Sequence, residues 1–157
     1  MIENDSRDNE QQMLVSTFFL GEAAFGLDTA YIQEVVRVAD ITPVHRAPSY
    51  LLGVMNLRGR IATVIDLGLK LELGRTEIRE NSRILILECE GEQIGLMVEY
   101  VADAISIDRA DIKPSPENVR RVQGRYVKGV FETEERLIAL LDTSAVLAME
   151  DGQEATW

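Results

Sequence analysis

Few side chains in this sequence could do covalent chemistry, and their isolation is informative. His45 is the only histidine and Cys89 the only cysteine among 157 residues. A histidine-based metal cluster is thereby excluded, and Cys89 has no CxxC partner with which to hold zinc. A small hydrolase would require Cys89 and His45 in contact, yet a cysteine at the end of an apolar strand normally serves as packing volume. No GxGxxG, P-loop or GxSxG occurs. Asp66 and Asp142 occupy equivalent places in a duplicated stretch, which favours helix capping in both copies over paired acid–base work. Glu34 and Asp103 are also equivalent and read as solvated charges of a helical turn. Arg58 is different. It stands at a hairpin tip beside apolar residues, and its equivalent is Glu134, so the repeated frame does not require it. Exposed arginines in such company anchor protein interfaces, and Ile32, Val35 and Val101 could form an apolar floor beside it.

The element that presents Arg58 runs from Ala47 to Leu71. Leu52 to Leu57 reads as a strand, Arg58-Gly59 as a turn and Arg60 to Ile65 as the return strand. Gly59 supplies the positive φ such a turn needs. Asp66 then caps a helical turn carrying Leu67, Leu69 and Leu71. The unit is used twice: Tyr50 to Leu71 aligns without a gap on Tyr126 to Leu147 at an offset of 76, with Tyr50, Gly53, Val54, Arg60, Asp66 and Leu71 recurring. Only the tips diverge, Asn56-Leu57-Arg58-Gly59 against Glu132-Thr133-Glu134-Glu135. That contrast suggests a dedicated job for the first tip alone.

The rest of the chain repeats as well. Met13 to Leu20 and Ala23 to Asp28 read as strands about a Gly21-Glu22 turn. Thr29 to Glu34 reads as a short helical turn capped by Thr29, and Val35 to Val38 as extended. Ser82 to Cys89, apolar on both faces through Ile84-Leu85-Ile86-Leu87, and Glu92 to Val98 flank a second turn at Glu90-Gly91. Phe25-Gly26-Leu27 matches Ile94-Gly95-Leu96, and Tyr31 to Val35 matches Tyr100 to Ala104, both at an offset of 69. About seven extra residues fall between Lys113 and Gly124, an irregular, locally basic loop with Arg120, Arg121 and Arg125. Thr143 to Met149 reads as a closing helix capped by Thr143. The expected layout is a tail over 1–12, a folded region over 13–149 in halves 13–72 and 82–149 joined by a linker over 73–81, and an acidic tail over 150–157. Many short strands with regular glycine turns argue for two β-barrel-like lobes of about five strands each.

A chain of this length can bury roughly 68–70% of its unfolded surface. Its 46% hydrophobic content supports a core. No apolar run reaches the ~18 residues of a spanning helix, and the polar, acidic first residues do not form a signal peptide. The single cysteine fits a reducing compartment. A formal charge of −11 opposes nucleic-acid binding, which needs a basic footprint, and no aromatic stacking cluster compensates.

Tyr-Leu-Leu-Gly-Val-Met-Asn-Leu-Arg-Gly-Arg-Ile-Ala-Thr-Val-Ile-Asp-Leu, from Tyr50 to Leu67, resembles the signature of the CheW family of bacterial chemotaxis adaptors. Phe25 to Asp28, Ile32 to Val35, Ile94 to Val98 and Tyr126 to Val130 are similar to its other landmarks, over residues 13–149. The resemblance implies a mainly β fold of two SH3-like five-stranded barrels related by internal duplication, with short helices including a C-terminal one. It implies no cofactor and no catalysis. The implied partners are the regulatory domain of the histidine kinase CheA and the cytoplasmic tip of methyl-accepting chemoreceptors. It implies a cytoplasmic protein recruited to the membrane-associated receptor array without inserting in the membrane. An adaptor of a non-flagellar chemosensory array is the alternative. Carried over by position, the receptor groove would involve Ile32, Glu34, Val35, Asn56, Arg58, Val101 and Ala104. Three positions depart from the pattern: Ala62-Thr63, Glu99-Tyr100 and the small Ala104.

Overall fold

The computed structural model describes residues 11–114 and 122–148. Ten strands dominate it: β1 (Gln12–Leu20), β2 (Ala23–Asp28), β3 (Ile32–Arg37), β4 (Leu51–Leu57), β5 (Arg60–Asp66), β6 (Arg83–Cys89), β7 (Glu92–Val98), β8 (Tyr100–Asp108), β9 (Val127–Glu132) and β10 (Leu137–Leu141). Two short helices follow the hairpins, α1 (Leu67–Lys70) and α2 (Thr143–Leu147). The strands form two five-stranded sheets, ordered β8-β1-β2-β10-β9 and β3-β6-β7-β5-β4. The second sheet uses strands contiguous in sequence and is termed here the central barrel. The first draws on both ends of the chain and is the terminal barrel.

Under the duplication the two strand orders are the same, since β1 corresponds to β6, β2 to β7, and β3, β4 and β5 to β8, β9 and β10. Each barrel therefore takes two strands from one half of the sequence and three from the other. The halves 13–72 and 82–149 are units of repetition, not separate sheets. The exchange is made by four pairings between the halves, the parallel β5 with β7 and β10 with β2 and the antiparallel β3 with β6 and β1 with β8.

Both sheets close by the same device. The backbone of Thr42 exchanges two hydrogen bonds with Val54 at 2.8 and 2.9 Å, and Lys113 does so with Val130 at 2.8 Å each way. These bridges tie the chain after β3 to β4, and the chain after β8 to β9. A Cβ on Gly53 would lie 2.0 Å from the Thr42 carbonyl oxygen, and one on Gly129 would lie 2.9 Å from that of Lys113. Glycine recurs there because any side chain would force the seam apart.

Side-chain alternation fills three apolar clusters. Val15, Ile138 and Leu140 line the terminal barrel, and Val64, Ile84 and Ile86 the central one. Between the barrels Phe18, Leu27, Leu85, Leu87, Leu96 and Leu141 join in the largest cluster. Strand β6 serves two clusters by alternation, so Ile84 to Leu87 are all fully buried, as their unbroken apolar run suggests.

Three local expectations are corrected. The helical turn expected over Thr29 to Glu34 is a single 3-10 turn, Thr29–Tyr31, and Ile32 already begins β3. Its cap is Asp28, whose carboxylate accepts from the Ala30 amide at 2.9 Å, while Thr29 donates to the Leu14 carbonyl. Asp142, not Thr143, caps α2, accepting from the Ala145 amide at 3.1 Å. In each case a carboxyl oxygen one residue earlier takes the amide in place of the hydroxyl. Asp66 caps α1 as expected, through the Leu69 amide at 3.1 Å. The segment from α1 to β6 is tied down where Thr76, itself buried, donates from its amide and hydroxyl to the fully buried Asp66 carboxylate.

Candidate functional site

Arg58 and Gly59 both take positive φ, 54° and 83°, the pair a type I′ turn requires and the one that matches strand twist. Glycine accepts this freely, whereas Arg58 accepts a left-handed conformation that bulky residues usually avoid. Asn56 braces the turn, its side-chain carbonyl accepting from the Gly59 amide at 2.8 Å. The hairpin thus holds Arg58 at its apex.

From there Arg58 reaches across the closed seam of the central barrel to Glu34 on β3. Its two terminal nitrogens donate to the two carboxylate oxygens at 2.6 and 2.7 Å. This fork-to-fork geometry is the strongest form of the pair. The hydrogen bond and the Coulomb attraction of Glu34 raise the Arg58 pKa above its ordinary value. The arginine side chain remains 73% exposed and that of Glu34 only 25%. Exposure on that scale leaves the pair little weight in folding, but it presents an oriented guanidinium at the surface. Glu34 lies on a strand and is not the solvated helix-turn charge expected of it.

The other predicted residues divide into two groups. Ile32 and Val101, equivalent under the duplication, are half-buried and pack on the cluster between the barrels. They form part of the junction and do not stand free as a floor. Val35 is 44% exposed on β3, and Asn56 and Ala104 are exposed on β4 and β8. The structure brings Glu34 and Arg58 into contact, and brings Ile32 and Val101 onto one cluster. A separate cleft of ≈ 540 Å³, lined by Tyr31, Leu87, Cys89 and Leu147 among others, opens between β6 and α2, and none of the seven predicted residues lines it.

Cys89 is half-buried at the end of β6, and His45 is exposed in the connection between β3 and β4. Among the described residues no cluster of three or more histidine, cysteine or acidic side chains could hold a metal ion. Nor is any helix there long and apolar enough to cross a membrane. Arg120 and Arg121, singled out as a basic loop, lie outside the described residues. Arg125 donates to the Tyr126 hydroxyl at 2.7 Å.

Lys70 was not anticipated by sequence reasoning. It is almost fully buried, donates to the Ala148 carbonyl at 2.6 Å, and lies 4.1 Å from the centre of the Tyr50 ring. The only hint is that Val146 stands at the equivalent position of the other copy, so an apolar site in one half is occupied by a cation in the other.

A family model described as CheW-like domain matches residues 14–151. The chemotaxis protein CheW of Klebsiella aerogenes is 30% identical over 141 residues, which cover 90% of this chain and 84% of that protein. Its namesake in Treponema pallidum is 27% identical over 150 residues, covering 93% and 88%. Among solved structures, the scaffolding protein TtCheW from Thermoanaerobacter tengcongensis superposes with a TM-score of 0.81 at 32% identity, covering 90% of this chain and 91% of that one.

Proposed function

The chain belongs to the CheW-like family, and from that premise we propose that it is a noncatalytic adaptor coupling chemoreceptors to the histidine kinase CheA. The receptor's cytoplasmic helical tip docks along the edge of the central barrel and the junction between the barrels. The observation that carries this reading is the Glu34–Arg58 fork at the barrel seam. It presents an oriented guanidinium at β3, the strand that also carries the exposed Val35, with Ile32 and Val101 packed at the junction. An amphipathic helix suits such a surface: its apolar stripe meets Val35 and the junction, and its acidic flank meets Arg58. The protein works by holding two partners in fixed geometry, which its closed, doubly packed barrels suit. No step requires a cofactor.

Titration of the chain with a receptor cytoplasmic fragment tests this site. Arg58→Glu places a carboxylate opposite Glu34 and should weaken binding at least about tenfold, with an unchanged circular dichroism spectrum. Equal affinity of the two proteins would remove Arg58 from the interface and move the receptor site elsewhere.

A further inference from the structure

The terminal barrel repeats the seam at which the central barrel holds Arg58, with the arginine missing. Register establishes the equivalence. Val101 lies opposite Phe18 and Ala104 opposite Ser16, with an irregularity between them, as Ile32 lies opposite Leu87 and Val35 opposite Leu85. Asp103 therefore occupies the place of Glu34. Leu137 lies opposite Glu132 as Ile61 lies opposite Asn56, which puts Glu134 in the place of Arg58. Two carboxylates cannot make the fork that joins β3 to the first hairpin tip.

The Lys113–Val130 bridge closes the terminal seam, but beside the second hairpin tip it is not spanned by a fork. A cleft of ≈ 390 Å³ lies there, floored by Phe19, Ile105 and Ile138 and rimmed by Asp103, Glu134 and Glu135. The remaining charged rim residue, Arg136, stacks its guanidinium over the Phe19 ring at 4.6 Å. Three acidic groups against one basic group leave the rim negative, above an apolar and aromatic floor. We propose that this cleft is a docking site for an arginine side chain carried on a loop of a partner protein. The incoming guanidinium takes the place beside Asp103 that Arg58 takes beside Glu34 in the central barrel, and Glu134 supplies a second carboxylate. An apolar residue next to that arginine covers Ile105 and Ile138.

Arginine fits better than lysine because its planar fork can bond two carboxylate oxygens at once. Phosphate-bearing ligands are repelled by the same rim. The second hairpin tip then has a task of its own: Glu134 exchanges an internal arginine for an external one. The proposed receptor surface adjoins this site on β8 through Val101 and Ala104, but none of its seven residues lines the cleft.

The test uses the full chain, isotope-labelled for NMR, and a cyclic hairpin peptide displaying Asn-Leu-Arg-Gly-Arg, the sequence of the chain's own first tip. Saturable shifts should appear at Phe19, Asp103 and Glu134. The same peptide with citrulline in place of its central arginine should bind at least tenfold more weakly. Glu134→Arg gives Asp103 an internal partner and should also weaken binding at least tenfold, with affinity for a receptor fragment unchanged. Asp103→Asn should weaken it in the same direction without altering the hairpin tip. Conversely, Arg58→Glu should leave peptide binding intact, so failure here is distinguishable from failure of the receptor reading. Absence of saturable binding at millimolar peptide, shifts confined to another surface, or unchanged affinity with citrulline or with Glu134→Arg would overturn the proposal.

Discussion

Asp66 and Asp142 occupy the same position in the two copies, cap the same kind of helix, and nevertheless differ in what surrounds them. The Asp142 carboxylate accepts from the Ala145 amide and is half-buried. Asp66 is fully buried and also takes the amide and hydroxyl of Thr76. Removing Asp142 costs a cap, about 1 kcal/mol. Asp66→Ala strips a cap and leaves the buried Thr76 donors without their acceptor, a loss on the order of 3 kcal/mol. Urea unfolding of the two alanine variants should show that inequality, and equal losses would mean that Thr76 finds another partner. At this scale the sequence was informative about types and weaker about partners. The tip arginine was legible from its apolar neighbours and from its divergence in the second copy. Its bond to Glu34 was not, because the two are 24 residues apart and meet only when the central barrel closes.

Strands and turns obey local rules, and local rules were enough to find most of them. The Arg58-Gly59 and Glu90-Gly91 pairs both adopt the two positive φ values of a tight hairpin, and β7 spans the residues its pattern marks out, Glu92–Val98. Caps were displaced by one residue because Asp28 and Asp142 precede threonines that would also serve. Besides the burial of Val146 and Leu147, α2 is tied to the body of the protein by a long-range contact with no local sign, the bond from Lys70 on α1 to Ala148. Lys70→Met keeps the apolar stem beside Tyr50 and removes the ammonium. It should speed amide exchange at Val146 and Ala148 and lower stability by about 1–2 kcal/mol. Unchanged exchange would show that apolar packing alone holds the helix.

At the scale of the whole molecule the reciprocal exchange of strands is the dominant fact. Alignment of the copies reveals two similar halves, but nothing in either half says that β2 will pair with β10 or β5 with β7, since parallel partners are chosen by tertiary packing. Cutting the chain between 72 and 82 therefore leaves each half without a complete sheet. Neither fragment should give a dispersed NMR spectrum alone, and an equimolar mixture should recover one. A dispersed spectrum from either half would show that a half can close its own barrel. Interleaving also explains how so small a protein can serve as a rigid connector: the barrels share strands from both halves and a common apolar cluster, so neither can swing freely on a linker.

Rigid connection is the property that adaptor function needs, and it leads to the most direct measurement. Sedimentation of the purified chain with a receptor cytoplasmic fragment and the CheA regulatory domain should yield one ternary species that forms only when the chain is present. Arg58→Glu should release the receptor fragment from that species while the kinase domain stays bound. Competition between the two partners for the chain, or a receptor–kinase species of equal abundance without it, would contradict the adaptor role.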